Sequence, residues 1–366
     1  MNTLKDQAFM EMAFSLAERA KGWASPNPNV GAVIVKRDIV VGFGYHEKPG
    51  KPHAEIIALQ KAGNRARKAT AYITLEPCTH WGRTPPCIDT ILKAGLSRVV
   101  VSSLDPNPLV YKKGMAKMTQ SGLDATVGLL AAKNKRLNET YFKYITGKVP
   151  FVTIKAAISM DGKMATKSRH SRWISSPEVR EYTHLIRGEH DAIMVGIDTF
   201  IHDNPLLTVR HRNWKGKRIA RVILDSRLRF PLESRICCTL EQGEIIVFTT
   251  PQAPPDKVEA LIKKGVRVIV LTGSDSRVRL QDVLVWLGKH EISSLMVEGG
   301  SRLITSFLEK NLGDKIFLML SPKLIGGIGA PSLFEGKGVD RVYDALRLKT
   351  FSSLAIGDET VIEGYF

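Results

Sequence analysis

Cysteine, long apolar runs and acidic residues are all scarce in this sequence. Four cysteines among 366 residues are too few to hold such a chain together by disulfides. A chain of this length also buries enough surface to fold without them. Two of the four, Cys237 and Cys238, are adjacent, which suits a structural role better than a shared metal site. Disulfides are therefore not expected.

No apolar run approaches the roughly eighteen residues that cross a bilayer. The first residues include Asp6 and Glu11, where a secretory signal needs a basic segment followed by an apolar one. Internal repeats and low-complexity segments are also lacking. These absences exclude fibrous and disordered folds and predict a soluble, cytoplasmic protein with no membrane partner.

Acidic residues are outnumbered: the sequence has 36 Asp and Glu and 53 Lys and Arg, which gives a net charge of +17. This excess favours anionic partners, which include nucleic acids, acidic membrane surfaces and phosphorylated small molecules. Residues 1–147 hold 21 basic against 11 acidic residues, and residues 148–366 hold 32 against 25. Because both halves share the excess, it does not indicate a nucleic-acid-binding tail. The one dense basic run is 210–221.

Helical and strand patterns alternate along the whole chain. A helix over 3–20 precedes a hairpin over 31–46, and the strands TAYITL and SRVVVSSL each follow a helix. A long helix is expected from Leu129 to about Tyr144, before an interruption at 147–150. The alternation then restarts. It predicts an α/β fold with mainly parallel sheets and two domains.

We place the domain boundary between residues 1–147 and 148–366. The second half begins with the strand FVTIKAAIS, and a helix follows with Ser176 as its N-cap and Pro177 in its first position. The strand DAIMVG comes next, and five further strand patterns continue the α/β order, with helices from about 255, 280 and 301.

A histidine, a glutamate and two cysteines stand in an order typical of a catalytic zinc site. His53 and Glu55 open a helix, Cys78 follows the strand TAYITL, and Cys87 follows in a loop that contains Pro85 and Pro86. Three such ligands hold zinc and leave a fourth position for water, whose pKa the metal lowers to about 7. Glu55 is placed to move the water proton to leaving ammonia. This order, H-x-E…P-C…C, is that of the nucleobase deaminases.

Each part of this pattern also has an ordinary structural interpretation. A histidine often begins a helix, and two cysteines can serve as small apolar side chains. Their combination at a strand-to-Pro-Cys junction favours zinc. The spacing departs from C-x-x-C, because CTHWGRTPPC carries a longer loop that separates deaminase subfamilies.

Four segments of the first half resemble the bifunctional pyrimidine deaminase/reductases of riboflavin biosynthesis. They are SPNPNVGAVIV, GYHEKPGKPHAE, TLEPCTHWGRTPPC and LDPNPLV. The resemblance implies a cytidine-deaminase-like three-layer α/β/α domain that hydrolyses the amino group from a diaminohydroxy-pyrimidine carrying a phosphoribosylamino chain. It implies one zinc ion on His53, Cys78 and Cys87 and proton transfer by Glu55. It also implies substrate contacts from Asn27, His46, Arg83, Asp105 and Asn107.

The chemistry of these side chains suits the implied contacts. Asn27 offers a donor and an acceptor to a pyrimidine edge, although Ser-Pro-Asn-Pro also suits a simple turn. Arg83 offers a forked set of donors to a phosphate. Residues 110–114 read VYKKG where the family has a small Ala-Gly-Lys-Gly run, so we expect Tyr111 and Lys112 to alter the rim of the site.

The second half resembles the reductase domain of the same family, through PFVTIKAAISMDGKMA, SRWIS, DAIMVGIDTFIHDNPLLTVR, RVILDS, VEGGSRLITSFL and SPKLIGG. The resemblance implies a dihydrofolate-reductase-like α/β domain. It implies hydride transfer from NADPH to the sugar carbon that bears the amine, which turns the ribosyl chain into ribityl.

No G-x-G-x-x-G follows the first strand of this half. The candidate cofactor loop is instead EGGS at 298–301, where glycines allow close approach and a helix N-terminus offers N–H groups to a pyrophosphate. Gly-Gly before a helix also commonly marks a tight turn. No acid or base stands out, because hydride chemistry belongs to the cofactor.

The resemblance implies two sets of contacts in this half. Contacts to NADPH are Ala157, Trp173, Thr199, Asp203, Ser226, Gly300, Ser301, Arg302, Leu303, Ile304, Thr305 and Ser306. Contacts to the substrate are Ser171, Arg187, Leu207, Arg210 and Glu298. Arginines suit a phosphate, although an arginine near a helix end is commonly solvated. Residues 167–170 read KSRH in place of a glycine-bearing turn, so we expect this loop to differ.

Two other functions remain open at this stage. A tRNA deaminase with an accessory domain shares the H-x-E…P-C signature and suits a basic chain. The long gap between the cysteines and the lack of an RNA-binding motif disfavour it. A deaminase with an inactive reductase domain is the other alternative. The sequence predicts a small phosphorylated pyrimidine as partner, no nucleic acid, and a possible homo-oligomer.

Overall fold

A computed structural model describes residues 3–82, 85–211, 214, 217–272 and 276–366. The chain divides into two compact units, Met1–Lys148 and Val149–Phe366. Within these described ranges, no helix combines the length and apolar character needed to cross a membrane.

The first unit is built on a five-stranded sheet in the order β2-β1-β3-β4-β5. Its strands are β1 (Gly31–Lys36), β2 (Ile39–Tyr45), β3 (Thr70–Leu75), β4 (Arg98–Ser103) and β5 (Asp124–Val127). β1 pairs antiparallel with β2 and with β3, while β3, β4 and β5 are parallel. The prediction of a mainly parallel sheet is wrong for this unit. The tight hairpin, with positive φ at Arg37 and Asp38, returns the chain in the opposite direction.

Helices cover both faces of this sheet. They are α1 (Thr3–Ala17), α2 (Ala54–Ala62), α3 (Cys87–Lys93), α4 (Lys113–Gln120), α5 (Ala131–Leu137) and α6 (Glu139–Gly147). Side chains of β1 alternate between two buried clusters: Ala32 and Ile34 pack on the side of α2 and α3, and Val33 and Val35 on the side of α1. This gives the three-layer α/β/α arrangement.

The single helix expected from Leu129 to about Tyr144 is wrong, because the chain breaks at Asn138 between α5 and α6. Asn138 is fully buried and has non-helical backbone angles. Its side chain accepts the N–H of Asn29 at 2.7 Å and donates to the carbonyl of Asn29 at 3.0 Å. Main-chain groups that are shielded from water need hydrogen-bond partners. The bonds from Asn138 to the main chain of Asn29 therefore stabilise the fold more than one continuous helix would.

The second unit contains a nine-stranded sheet in the order β10-β9-β8-β7-β11-β6-β12-β14-β13. Its strands are β6 (Phe151–Ser159), β7 (Ala192–Gly196), β8 (Ala220–Leu224), β9 (Ile245–Thr249), β10 (Arg267–Val270), β11 (Ser294–Val297), β12 (Lys315–Ser321), β13 (Thr350–Ile356) and β14 (Glu359–Tyr365). All pairings from β10 to β12 are parallel, and the β13–β14 hairpin adds two antiparallel pairings.

In the described part of the second unit, five α-helices pack on this sheet. They are α7 (Pro177–Gly188), α8 (Ile197–Asp203), α9 (Pro255–Lys263), α10 (Leu280–Lys289) and α11 (Ser301–Glu309). Ser176 caps α7 as predicted, since its hydroxyl accepts the N–H of Val179 and Pro177 is the first helical residue. The carboxyl ends of β6, β7, β8 and β11 meet at one edge, where open α/β sheets bind their ligands.

Candidate active sites

The three predicted zinc ligands meet at the ends of local elements in the first unit. His53 is the N-cap of α2, Cys78 follows β3, and Cys87 is the first residue of α3. His53 Nδ1 lies 3.1 Å from Cys87 Sγ and 3.6 Å from Cys78 Sγ, and all three ligand atoms lie within 4.8 Å of one another. Among the described residues this is the one His/Cys/Asp/Glu group placed to hold a metal.

The electrostatics of this cluster favour a metal ligand set. Hydrogen bonds to Cys87 and His53 lower the pKa of the Cys78 thiol. The bond to Cys78, together with burial, raises the pKa of Cys87. Both thiols are thus hydrogen-bonded within one cluster, and binding of a cation there would release their protons.

Glu55 lies on the first turn of α2 beside this cluster. Burial raises the pKa of its carboxyl to about 7. Its Oε2 atom is buried and has no hydrogen-bond partner among the described residues. An unpartnered buried carboxylate oxygen next to a His/Cys/Cys set is the position that a proton carrier occupies beside zinc. The residues present therefore fit the metal.

Asn27 and His46 form a hydrogen-bonded pair next to the ligands. The Asn27 amide nitrogen lies 3.0 Å from His46 Nε2, while His46 Nδ1 faces the carbonyl of Pro52 at 3.3 Å. The imidazole of His46 packs edge-on to that of His53, with ring centroids 5.1 Å apart. Burial lowers the pKa of His46, which keeps the ring neutral.

Asp105 and Asn107 lie in the segment that follows β4. Both carboxylate oxygens of Asp105 accept the hydroxyl of Tyr141, at 3.0 and 3.1 Å, and Oδ1 accepts the N–H of Asn107 at 2.8 Å. Burial raises the pKa of Asp105 to about 6. Sequence reasoning missed Tyr141, which comes from α6 and carries no motif. Arg83 lies outside the described residues.

The departure at 110–114 places two large side chains, Tyr111 and Lys112, on the surface of the segment. Tyr111 is half exposed, and its ring faces the Nζ of Lys112 at 5.1 Å. Lys112 adopts a left-handed conformation, with φ of 62°. Gly114 stays in contact with Pro77 and Glu76. The side chains of Tyr111, Lys112 and Lys113 are exposed, whereas that of Val110 is buried.

In the second unit, Arg187 and Glu298 form a buried ion pair. Nε and Nη2 of Arg187 donate to the two carboxylate oxygens of Glu298 at 3.0 and 2.7 Å. Burial opposes ionisation of Glu298, but Arg187 and Lys155 hold its pKa at about 2. The solvated position considered for Arg187 is thereby excluded, because its side chain is 9% exposed.

Three more groups surround this pair. Arg187 Nη1 donates to the carbonyl of Thr208 at 2.6 Å, and Arg210 Nη1 donates to the Thr208 hydroxyl at 3.2 Å. His184 Nδ1 accepts the main-chain N–H of Arg210 at 3.3 Å. Burial and the two arginines lower the pKa of His184 to about 4. The structure thus brings Arg187, Arg210 and Glu298 together.

Lys155, on β6, is a further cation at this site that sequence reasoning missed. Burial lowers its pKa, and it interacts with both Glu298 and Arg187. The sequence of β6 carried a signal, because Lys155 is the one charged residue of this strand. Cations therefore exceed carboxylates here, which suits an anionic ligand.

The other two predicted substrate contacts lie in loops. Leu207 is buried with φ of 52°, directly before Thr208. Ser171 follows the KSRH loop, in which Arg169 takes the positive φ that a glycine would supply. The N–H groups of Arg169 and His170 bond to Thr166, so the loop keeps a tight turn without glycine.

Several predicted cofactor contacts lie at the carboxyl edge of the sheet. Ala157 is near the end of β6, Thr199 is on α8 after β7, and Ser226 follows β8. The Thr199 hydroxyl accepts the N–H of Gly300 at 3.0 Å, which joins α8 to the N-cap of α11. Asp203 ends α8, and its carbonyl accepts from Arg172 at 2.7 Å.

The run from Gly300 to Ser306 forms the first two turns of α11. Ile304 is fully buried in the core, and its N–H donates to the carbonyl of Gly300 at 3.3 Å. Ser301 donates to the carboxylate of Glu335 at 2.8 Å, and the hydroxyl of Thr305 accepts the N–H of Glu335. Leu303 packs partly against the core, Arg302 is exposed, and Ser306 bonds to its own helix.

Trp173 presents an exposed ring beside this edge, with the guanidinium of Arg180 4.3 Å from its centroid. The basic run 210–221 also has structural members. Lys217 pairs with Asp191. Arg221 is fully buried and donates to Leu206 O, Thr239 O, Thr239 Oγ1 and Gly243 O.

Two family models match the two units. The cytidine and deoxycytidylate deaminase zinc-binding region matches residues 3–103, and the RibD C-terminal domain matches residues 150–362. With the His/Cys/Cys cluster and the cationic site, these matches define a zinc-dependent deaminase joined to an NADPH-dependent reductase.

Relatives match the chain over nearly its full length. Riboflavin biosynthesis protein RibD of Aquifex aeolicus is 44% identical over 98% of this chain and 97% of its own, and that of Escherichia coli is 36% identical over 94% and 95%. The solved structure of Acinetobacter baumannii RibD covers all of this chain, at 99% of its own length, 34% identity and a TM-score of 0.90. The chain belongs to the RibD family of bifunctional riboflavin biosynthesis enzymes.

Proposed function

We propose that the first unit removes the amino group of a diaminohydroxy-pyrimidine whose side chain is phosphoribosylamino. The observation that carries this proposal is the orphaned Oε2 of Glu55 beside the His53/Cys78/Cys87 cluster. A zinc ion held there supplies the acidified water needed for hydrolysis. Glu55 holds the proton and delivers it to the leaving amine.

The remaining polar groups of the first unit orient the pyrimidine. Asn27, fixed by His46, presents an amide to the ring edge, and neutral His46 adds a second polar group. Asp105 and Asn107 line the opposite segment, where Tyr141 fixes the carboxylate of Asp105. Arg83 is proposed to bind the phosphate.

We propose that the second unit reduces the ribosyl chain of the deaminated product to ribityl, with hydride from NADPH. Arg187 and Arg210, with Lys155 near them, supply the cationic surface for the substrate phosphate. Ser171 and Leu207 complete the proposed pocket. The residues predicted to bind NADPH, from Ala157 to Ser306, follow the carboxyl edge of β6, β7, β8 and β11.

A coupled assay tests the sequence of reactions. Purified chain receives zinc, NADPH and the pyrimidine ribotide, and both ammonia release and NADPH absorbance are followed. We expect both signals, with NADPH consumption dependent on Glu55. Given the deaminated ribotide directly, Glu55→Gln should still consume NADPH. Ammonia release from tRNA but not from the ribotide would contradict the proposed substrate.

We further propose that the chain forms a homo-oligomer through β13, and that it works in the cytoplasm. β13 is the sheet edge, carries no charge over 350–356, and exposes Phe351 and Leu354. Pairing with β13 of a second copy about Ser353 would bring Lys349 of one copy near Asp358 of the other. Light scattering tests this: Leu354→Glu should lower the mass and Ile262→Glu, on exposed α9, should not.

A further inference from the structure

The carboxylate of Glu76 is buried beside the proposed zinc ligands, although the reaction described above does not use it. The residue is 3% exposed. Its Oε2 accepts the main-chain N–H groups of Asp105 and Lys112 at 3.3 and 3.0 Å, and its Oε1 accepts that of Met115 at 3.1 Å. No lysine, arginine or histidine of the described ranges forms a salt bridge with it.

All three donors belong to the segment 105–115. This segment begins with two proposed substrate contacts, Asp105 and Asn107, and leads into α4. Glu76 itself follows β3, two residues before Cys78, and its N–H bonds to the carbonyl of Ser103 at 2.9 Å. One side chain therefore joins the loop that carries a zinc ligand to the segment that faces the pyrimidine.

The packing around this carboxylate leaves little freedom. A Cβ atom at Gly114 would lie 2.5 Å from the carbonyl oxygen of Pro77, and 3.1 and 3.2 Å from Cγ and Oε1 of Glu76. The side chains of Tyr111, Lys112 and Lys113 are exposed, so they are free to vary, whereas the side chain of Val110 is buried. Gly114 cannot take a larger side chain without moving the carboxylate or the segment.

We propose that Glu76 is a positioning residue of the deaminase site. Its carboxylate fixes the segment 105–115, and so sets how Asp105 and Asn107 meet the bound pyrimidine; this rests on the proposed function of the first unit. A carboxylate suits three converging N–H groups because it is purely an acceptor. A carboxamide has one oxygen and must turn its NH₂ group toward at least one of these donors.

The variant Glu76→Gln tests the role directly. Because its oxygen can replace Oε1 or Oε2 but not both, one or two of the three bonds are lost. We expect KM for the ribotide to rise about tenfold while kcat changes less than about threefold. Zinc should remain at one ion per chain. Hydrogen exchange of amides in 105–115 should accelerate, while that of β6 should not.

The exposed residue Glu18, in the same unit, provides the matched control, and Glu18→Gln should leave all four measurements unchanged. If Glu76→Gln does not fold, Gly114→Ala presses on the same carboxylate and should give the same split between KM and kcat. Unchanged KM and exchange in a folded, zinc-loaded variant would overturn the proposal. Loss of zinc, or a fall in kcat at constant KM, would also overturn it, because the role would then be support of the ligand loop.

The exchange measurement separates this proposal from the proposed function. A wild-type chain without deaminase activity contradicts the function of the first unit. Faster exchange in 105–115 of Glu76→Gln would still establish that Glu76 holds the segment. Normal wild-type activity with unchanged exchange in the variant contradicts the positioning role alone.

Discussion

Carboxylates at the two sites have opposite surroundings. In the first unit, Glu55 and Asp105 are buried without a salt bridge among the described residues, and burial raises their pKa values to about 7 and about 6. In the second unit Glu298 is buried against Arg187 and Lys155, which hold its pKa at about 2 despite burial. The first arrangement keeps protons available near neutral pH. The second fixes a negative charge and leaves neighbouring cations for a ligand.

This difference follows the division of chemical labour. Deamination moves a proton at each step, so a carboxyl group that ionises near neutral pH is useful. Hydride transfer is carried out by the cofactor, so the protein needs alignment and charge complementarity. The same residue type thus serves different purposes because its neighbours differ.

The largest effect is expected for Glu55→Gln. Removing the proton carrier should lower deaminase kcat by about two to four orders of magnitude. Zinc content, measured by mass spectrometry, and reductase activity on the deaminated ribotide should both persist. Near-normal ammonia release would show that Glu55 is not the proton carrier. It would also contradict the role given above to the carboxylates of the first unit.

Arg187→Met should come next in size. The change leaves Glu298 buried without its principal partner, and breaking such a pair costs about 3–5 kcal/mol. The thermal unfolding temperature of the second unit and the reductase turnover should both fall, while deaminase turnover stays constant. The double variant Arg187→Met, Glu298→Gln should recover stability without recovering substrate affinity. Loss of stability in the double variant equal to that in the single one would contradict the ion pair's role.

The pH dependence of stability should have opposite signs in the two units. Because the pKa of Asp105 is raised in the folded chain, its carboxyl group ionises at lower pH in the unfolded chain. The free energy of unfolding of the first unit therefore falls as pH rises from about 4 to 6, by about 3 kcal/mol at most. The lowered pKa of Glu298 stabilises the second unit above about pH 4.5, and this is lost as pH falls toward 2.

Urea unfolding followed by hydrogen-exchange mass spectrometry reads the two units separately. As pH rises from 4 to 7, Asp105→Asn should become more stable relative to wild type. As pH rises from 2 to 5, Glu298→Gln should become less stable relative to wild type. If the free energy of unfolding changes with pH equally in wild type and both variants, neither pKa shift contributes to stability.

The smallest effect is expected for Arg210→Ala. Arg210 holds Thr208 and lies near Arg187, so its removal should raise reductase KM about tenfold through loss of one phosphate partner. NADPH consumption at varied substrate concentration measures this, with Arg218→Ala in the same basic run as control. Unchanged kinetics would show that Arg210 is a solvated residue that does not bind the substrate phosphate.

The motifs predicted which three side chains cluster in the first unit because each motif is local. His53, Cys78 and Cys87 stand at ends of elements whose patterns are visible in the sequence. Glu76 and Tyr141 were missed because no pattern marks which N–H or carboxylate they meet, whereas His, Glu and Cys in their order mark the metal centre. The break at Asn138 was missed for the same reason, since the backbone of Asn29 determines it.

The separation of partners along the chain also bears on the order of folding. His53 and Cys87 are 34 residues apart, whereas Arg187 and Glu298 are 111 residues apart. Short loops close at lower entropic cost, and a chain under synthesis emerges from its N-terminus first. The metal centre can therefore assemble on the ribosome while the residues of the ion pair are still being joined. All three side chains of the metal centre are thus present in a nascent chain well before Glu298 has been added.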